Sequence, residues 1–286
     1  MKPIVAIVAQ GAMGAGLAAR LTARGVQVLT SLSGRSAESR ARAEAAGMRA
    51  VDVQGLMDAQ FLLSILPPAS ALPFAQSLAP TLRSAARRPV FVDCNAVSPK
   101  TLQSIADSLG DTGVLFVDVG IIGLPPREDY AGPCLYAAGA GAGELTVLNE
   151  YGLNVRCLEG PVGTASALKM AYAGITKGLI AVASSMIINA ERAAVTDALK
   201  RELGSSAPAL LASLSRGIPD MLPKAYRWVA EMQQIQDFAG SDSATREIYG
   251  GAEHLYQRIA AGVPGQSDEI EALLRFFGPQ EGVASR

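Results

Sequence analysis

Histidine and cysteine are scarce in this 286-residue chain, which has one histidine and three cysteines. Cys94, Cys134 and Cys157 lie far apart and are odd in number, so they predict neither a disulfide framework nor a CxxC metal site. A single histidine leaves almost no material for a histidine-based metal centre or a Ser-His-Asp relay. We therefore expect no bound metal, and we interpret His254, which has apolar helical neighbours, as structural.

An excess of one charge and a membrane-length apolar run are also missing. Lysine and arginine number 25 against 26 aspartate and glutamate, so no net basic charge favours nucleic-acid binding. The longest apolar stretch, residues 178–190, is too short to span a bilayer, and the amino terminus has no secretory pattern. We expect a cytoplasmic protein that binds neither nucleic acid nor membrane.

Short apolar runs alternate with helix-length segments through the first half of the chain. The runs are residues 4–8, 26–29, 61–66, 90–93 and 114–119, with outer candidates at 133–138 and 154–158. Strands that are apolar throughout and separated by helices are typical of a parallel sheet covered on both faces. The pattern predicts an α/β, Rossmann-type doubly wound domain over residues 1–161.

The second half of the chain, residues 162–286, has a helical pattern. We predict one long helix over 163–195, apolar on nearly every face, which needs cover in its own domain or against a partner. More helices follow, with breaks at 217–219, 223, 240–243 and 262–265, and residues 278–286 form a frayed tail. This half is therefore expected to be an all-α substrate and dimerisation domain.

A glycine-rich turn follows the first predicted strand. Its sequence is Ala9-Gln10-Gly11-Ala12-Met13-Gly14, the dinucleotide-binding fingerprint with alanine in place of the first glycine. Gly11 would let the backbone approach a pyrophosphate, and Gly14 would let helix and strand pack closely. The helix amino terminus offers free N–H groups to phosphate. We predict cofactor binding by Gly11, Ala12, Met13 and Gly14, with an ordinary βα turn as the alternative.

The end of the second strand selects between the two nicotinamide cofactors. An NAD site needs a carboxylate there for the ribose 2′-hydroxyl, and none occurs from this strand to Ser36. Ser33, Arg35 and Ser36 instead supply an arginine fork and hydroxyl donors, which suit a 2′-phosphate. We predict NADP as the cofactor and interpret Arg40 and Arg42 as the solvated face of a helix.

Taken in order, these motifs resemble the superfamily of 3-hydroxyacid dehydrogenases and 6-phosphogluconate dehydrogenases, which includes the imine reductases. The similarity covers most of the chain. It rests on Gly11-Ala12-Met13-Gly14, Leu66-Pro67-Pro68, Asp93-Cys94-Asn95-Ala96-Val97-Ser98-Pro99, the segment 116–123, and residues 227–232, which resemble a phosphogluconate-dehydrogenase-like carboxy-terminal domain. The resemblance implies that Leu66, Pro67 and Asn95 bind the cofactor and that Ile122 and Gly123 line the substrate site.

The same resemblance points to a catalytic lysine. Gly163-Thr164-Ala165-Ser166-Ala167-Leu168-Lys169 is similar to the family's Gly-x-Gly-x-x-x-Lys, which implies that Lys169 is a general acid/base on the interdomain helix. The chain has six lysines, and this one lies on a helix otherwise too apolar to favour a charge. Burial would bring its pKa nearer to neutral. The alternative is a lysine that extends from the first helical turn into water.

Neighbours on the long helix are candidates for substrate contact. Tyr172 and Thr176 lie near the Lys169 side of the helix, and plain packing is the alternative for both. Lys177 lies about 80° around the helix from Lys169, and we interpret it as an exposed charge. The family's asparagine, four residues after the lysine, is replaced by Ala173.

The substrate loop also departs from the family. Its Ser-Gly-Gly becomes Ile122-Gly123-Leu124, so hydroxyl and amide donors give way to aliphatic groups. A pocket without those donors should bind the usual small 3-hydroxyacids poorly. A bulkier ketone, or an anion held by Arg127 or Arg227, is the alternative. Arg227 and Glu231 are four residues apart and are equally consistent with a surface pair. We interpret Trp228 and Met232, which have the same spacing, as core residues.

Together these features predict an NADP-dependent oxidoreductase that transfers hydride between nicotinamide and a C=O/CH–OH substrate, with Lys169 as proton donor. The alternatives are an imine reductase, which often has another residue at the lysine position, and an NADP-binding module without catalysis. We expect a homodimer, because the long apolar helix needs cover and the resemblance implies that a partner provides it. The substrate, the direction of reaction and any coupled decarboxylation stay open.

Overall fold

A computed structural model describes residues 2–127, 129–262, 265 and 267–278. The strands in these residues are β1 (Ile4–Val8), β2 (Gln27–Thr30), β3 (Arg49–Ala50), β4 (Phe61–Ser64), β5 (Val90–Asp93), β6 (Phe116–Ile122), β7 (Cys134–Ala138) and β8 (Asn154–Cys157). The α-helices are α1 (Ala12–Thr22), α2 (Ala37–Ala45), α3 (Pro68–Ser84), α4 (Pro99–Leu109), α5 (Ala142–Leu145), α6 (Thr164–Arg192), α7 (Thr196–Ser206), α8 (Pro208–Met221), α9 (Ala225–Phe238), α10 (Ser243–Ala261) and α11 (Asp268–Phe277). The predicted tail lies outside the described residues, apart from Gly278.

All eight strands form one sheet in the order β3-β2-β1-β4-β5-β6-β7-β8. Neighbours run parallel except β6 and β7, which are antiparallel. Alternate strand residues belong to two buried clusters, one on each face of the sheet. Ile7 and Leu63 lie in the first cluster, and Ala6 and Leu62 lie in the second. Helix α1 covers the first face, and α3 and α4 cover the second. The predicted Rossmann-type doubly wound sheet is confirmed.

The apolar runs located the long strands well, whereas β3 was not predicted. Both of its residues are exposed, so its sequence carries no apolar signal. The chain separates into two compact units, Met1–Met170 and Ala171–Arg286, and the division falls within α6, later than the boundary predicted after residue 161.

The second unit is helical, as predicted, but one predicted break is wrong. Helix α8 continues through Gly217 and Pro219, although a proline inside a helix removes one backbone hydrogen bond. A Cβ on Gly217 would lie 2.5 Å from the Ile180 Cδ1 atom, so this glycine allows close helix packing. The breaks at Pro223 and around residues 240–243 are confirmed, and α10 ends at Ala261 before the last predicted break. His254 is exposed on α10.

Helix α6 has 29 residues and is long and apolar enough to cross a membrane by length and composition. The expectation that no segment reaches that length is therefore wrong. In its most apolar window 44% of the residues are buried. Part of its surface is nevertheless apolar and 44–73% exposed. We call this surface the apolar stripe, and it consists of Tyr172, Ile175, Leu179, Val182 and Met186.

Candidate active site

The turn between β1 and α1 has the geometry of a dinucleotide-binding loop. Ala9 has a φ of +89°, in the left-handed region that favours glycine, so it reproduces the backbone of the fingerprint's first glycine. A Cβ on Gly14 would lie 2.1 Å from the Ala9 carbonyl oxygen, which only glycine avoids. A Cβ on Gly11 would meet no described atom within 4 Å. The close packing predicted for Gly14 is present, and the space beside Gly11 is open.

Helix α1 leaves its amino terminus available to a ligand. Gly11 is the N-cap, no described side chain caps it, and its first turn has no acidic residue. The first N–H groups of a helix have no partner within the helix, and they attract anions. The backbone of Gly11, Ala12 and Met13 therefore fits a pyrophosphate, while the Met13 side chain packs against the core.

Gln10 and Arg42 hold this turn against β2 and α2, respectively. Gln10 is buried, and its Nε2 atom donates to the Ser31 carbonyl at 3.1 Å and to the Thr30 hydroxyl. Arg42 donates from Nε to the Gln10 carbonyl at 2.7 Å. The interpretation of Arg42 as a solvated residue is wrong, because its guanidinium reaches back from α2 to the turn. Arg40 is exposed, in line with its interpretation.

The residues proposed for the 2′-phosphate lie between β2 and α2. Gly34 has a φ of +68° and turns the chain there. Ser36 is the N-cap of α2, and its hydroxyl accepts a hydrogen bond from the Ser39 N–H. Ser33 is exposed, and Arg35 is partly buried beside the start of the helix. All three residues lie in the segment between β2 and α2, and their contact with a 2′-phosphate stays a prediction.

Three buried polar residues follow one another across the sheet, at the carboxyl ends of β4 and β5 and at the paired position inside β6. Ser64, Asp93 and Asp118 are in register on the face that carries Leu62 and Phe91, and each is at most 1% exposed. We call them the polar row. Because the ends of parallel strands form the ligand-binding edge of such sheets, the row lies beneath the expected site.

Asn95 links the polar row to the loop after β4. Its Nδ2 atom donates to Asp93 Oδ2 at 2.7 Å and to the Ser64 hydroxyl at 3.1 Å. Its Oδ1 atom accepts from the Leu66 N–H at 2.6 Å. The Asn95 side chain therefore fixes Leu66, and Pro67 comes next along the same loop. Direct cofactor contacts of Leu66, Pro67 and Asn95 stay predictions.

The two carboxyls of the polar row have perturbed acidities. The pKa of Asp93 is raised to about 7, chiefly by burial and to a smaller extent by the nearby Asp118. Hydrogen bonds from Asn95 oppose this rise. Burial also raises the pKa of Asp118, while hydrogen bonds from Ser166 and Gly163 oppose the rise. The pKa of the buried Cys94 thiol is raised as well, chiefly by burial, which fits a packing residue and not a nucleophile.

Asp118 binds the start of α6. Its Oδ2 atom accepts hydrogen bonds from the N–H groups of Gly163, at 2.9 Å, and Ser166, at 3.0 Å. Its Oδ1 atom accepts from the Ser166 hydroxyl at 2.7 Å. Two residues further along β6, a Cβ on Gly120 would lie 2.7 Å from the Ala165 carbonyl oxygen and 3.3 Å from Lys169 Cβ. The half-buried Lys169 therefore leaves α6 directly beside the carboxyl-terminal part of β6.

The residues proposed for the substrate lie in both units. Ile122 ends β6 and is half-buried on the same strand face as Gly120, which is the Lys169 side. Gly123 has a φ of +132°, and a Cβ there would lie 2.8 Å from the Tyr130 hydroxyl. In the second unit Tyr172 is exposed, and the Thr176 hydroxyl donates to its carbonyl at 2.9 Å.

Lys177 forms a partly buried ion pair with Glu231, and each side chain is 16% exposed. Its Nζ atom lies 4.8 Å from the centre of the Trp228 ring, and Tyr256 donates to its backbone carbonyl at 2.6 Å. The interpretation of Lys177 as an exposed charge is wrong, since Glu231 compensates it inside the unit. Glu231 thus pairs with Lys177, while Arg227 is exposed. Burial lowers the pKa of Lys177, and Glu231 opposes the shift.

Two family models match the chain. The model of the NAD binding domain of 6-phosphogluconate dehydrogenase matches residues 4–145, and that of a domain of unknown function, DUF1932, matches residues 190–259. The first contains the glycine-rich turn and the polar row, and the second contains the Lys177 partner Glu231. The two models together agree with the motif order found in the sequence.

Known proteins are similar to this chain in sequence or in fold. An uncharacterized 28.5 kDa protein from Methanothermus fervidus is 28% identical over 176 residues, which is 61% of this chain and 66% of that protein, just under two thirds. A conserved protein of unknown function, described as structurally similar to 3-hydroxyacid dehydrogenases, is 27% identical, with a TM-score of 0.67 over 89% of this chain and 98% of the other. The 3-hydroxyisobutyrate dehydrogenase of Mycobacterium tuberculosis shares the fold at 16% identity, with a TM-score of 0.71 over 96% and 99%.

Proposed function

We propose that this chain, which is similar to the NAD binding domain of 6-phosphogluconate dehydrogenase over residues 4–145, is an NADP-dependent oxidoreductase that interconverts a carbonyl and a hydroxyl group. One observation carries the proposal. The first turns of α6 pack on β6 so closely that Gly120 has no room for a side chain, and Lys169 leaves the helix there. The Cβ atom of Lys169 thus lies beside the carboxyl-terminal part of β6, near the sheet edge where such folds bind their ligands.

Residues of the first unit fit NADP. The backbone N–H groups of Gly11, Ala12 and Met13 would bind the pyrophosphate, and the open space beside Gly11 allows its approach. Arg35, helped by the hydroxyls of Ser33 and Ser36, would bind the 2′-phosphate, where an aspartate would repel it. Leu66 and Pro67 would support the nicotinamide. NADPH, when bound, supplies the hydride that reduces the carbonyl carbon.

Lys169 would supply the proton. As hydride reaches the carbonyl carbon, the ammonium group of Lys169 donates a proton to the oxygen that becomes the hydroxyl. In the reverse direction the neutral amine removes the hydroxyl proton as hydride leaves the carbon. Ile122 and Leu124 offer aliphatic surface where the family has donors, so we propose a ketone bulkier or less polar than a small 3-hydroxyacid.

We also propose a cytoplasmic homodimer in which the apolar stripe of α6 is covered by a second copy. Exposed apolar residues that recur along one side of a helix are typical of a helix with a partner. Light scattering should give twice the monomer mass at micromolar concentration, and Val182→Glu should give the monomer mass. A monomeric parent protein would contradict this part of the proposal.

The test of the activity compares Lys169→Ala with Lys200→Ala, a control that removes an exposed lysine from α7. A panel of hydroxyacids, ketones and cyclic imines is assayed with NADP and NADPH. We expect Lys169→Ala to lower turnover by about 10²–10⁴-fold with unchanged NADPH affinity, and Lys200→Ala to resemble the parent. Turnover of cyclic imines that is equal in Lys169→Ala and the parent protein would instead identify an imine reductase. Tight NADPH binding without turnover of any compound would identify a binding module.

A further inference from the structure

Asp118 is a fully buried carboxylate, which is an expensive residue to place inside a sheet. Taking a carboxylate out of water costs several kcal/mol even after relaxation. Serine and asparagine would fill such a position without that penalty. Asp118 instead sits at 0% exposure, with one hydroxyl and two backbone N–H groups as its hydrogen-bond donors. All three donors belong to the segment that begins α6.

These contacts fix the amino-terminal turns of α6 in two ways. The carboxylate complements the partial positive charge of the helix amino terminus, and its two oxygens hold Gly163 and Ser166 at set distances. Gly120, on the same face of β6, then lets the next turn lie against the strand at the Cβ of Lys169. The helix can therefore neither slide nor rotate on β6 without breaking one of the contacts.

We propose that Asp118 is a positioning residue, which holds the first turns of α6 on β6 and so sets the distance between Lys169 Nζ and the reacting oxygen of the substrate. The proposal rests on the proposed function, since it needs Lys169 to transfer a proton. Lys169 follows Ser166 by three residues, which is less than one helical turn. A shift of this turn therefore moves the Lys169 amine by almost the same distance. A misplacement of about 1 Å can cost about 10²-fold in rate.

The test uses Asp118→Asn, which keeps the side-chain size but replaces one acceptor oxygen with a donor. Asp242→Asn is the matched control, because Asp242 caps α10 in the second unit and accepts from the Ala244 N–H at 3.2 Å. We expect Asp118→Asn to lower kcat by about 10- to 100-fold, to shift the pH profile assigned to Lys169, and to leave the NADPH Kd and the KM within about twofold. Asp242→Asn should lower the thermal midpoint but leave kcat and the pH profile unchanged.

A second readout does not need turnover. Lysines are labelled by reductive ¹³C-methylation, the Lys169 signal is assigned with Lys169→Arg, and its titration is followed by NMR. We expect Asp118→Asn to change the chemical shift and the pKa of this signal, and Asp242→Asn to change neither. If Asp118→Asn does not fold, Ser166→Ala removes only the hydroxyl donor and should give a smaller change in the same direction, about three- to tenfold in kcat.

The two proposals can fail separately. If Lys169→Ala lowers turnover but Asp118→Asn loses only stability, with kcat, pH profile and Lys169 signal unchanged, Asp118 is structural and this proposal is overturned. If Lys169→Ala itself leaves turnover unchanged, the proposed function is wrong and the positioning role falls with it.

Discussion

The Lys177–Glu231 pair makes a quantitative prediction about stability. Removing one partner of a buried ion pair leaves the other charge uncompensated, which costs about 3–5 kcal/mol for a fully buried pair. Both side chains here are 16% exposed, and the Trp228 ring still faces the Lys177 ammonium at 4.8 Å. A cation–π contact contributes about 0.5–2 kcal/mol. We therefore expect Glu231→Gln to lower the free energy of unfolding by about 2–4 kcal/mol.

The pair should be dispensable when both charges are removed together. Replacing a buried ion pair with apolar residues of similar size is often neutral or stabilising. The double variant Lys177→Met/Glu231→Leu should thus return to within about 1 kcal/mol of the parent. Asp220→Asn is the control, because its pair with Lys224 is an exposed i,i+4 contact worth a few tenths of a kcal/mol.

Urea unfolding followed by tryptophan fluorescence measures these changes. Trp228 is the single tryptophan of the chain and lies against Lys177, so it reports directly on this unit. The pH dependence gives a further check. The folded-state pKa of Lys177 is lowered, so the folded state binds fewer protons and stability rises with pH up to the unfolded pKa. Glu231→Gln should therefore recover part of its loss as the pH is raised toward 10.5. A loss for Glu231→Gln no larger than for Asp220→Asn would refute this reasoning.

Three further predictions concern the first unit. Ala9→Gly should raise the free energy of unfolding by about 0.5 kcal/mol. Relief of the left-handed alanine contributes about 1–2 kcal/mol, which exceeds the cost of the flexibility that glycine adds to the unfolded chain. A lower free energy of unfolding in urea would contradict the strain at Ala9. Asp93 has a folded pKa raised to about 7, so the parent should lose stability from pH 4 to pH 7, and Asp93→Asn should flatten that slope. An equal slope in both proteins would argue against a protonated Asp93. Arg35→Ala should weaken NADPH binding far more than NADH binding in fluorescence titrations, and equal losses would rule out its 2′-phosphate role.

Local sequence patterns were sufficient for the sheet and the nucleotide turn. Apolar runs of strand length and the spacing of Gly11 and Gly14 are properties of neighbouring residues, and they predicted β1, β5 and the loop correctly. The long apolar helix was visible for the same reason, with its end misjudged by three residues because Ala194 turns left-handed at a φ of 56°.

The contacts that support the site join residues far apart in sequence, so no local pattern reveals them. Asp118 meets Ser166 across 48 positions, and Lys177 meets Glu231 across 54. An aspartate within a strand gave no sign that it would cap a helix, and a lysine on an apolar helix gave no sign of its partner. Register across the sheet was needed to bring Ser64, Asp93 and Asp118 into one row.

Chemical rescue tests the central claim, proton transfer by Lys169, most directly. Stopped-flow measurement of NADPH oxidation would use the ketone that the parent protein reduces fastest, with Lys169→Ala and added primary amines of graded pKa. We expect slow hydride transfer in Lys169→Ala, restored in part by each amine, with a rate that depends on the pKa of the amine. Oxidation of NADPH by Lys169→Ala at the parental rate without any amine would contradict the claim.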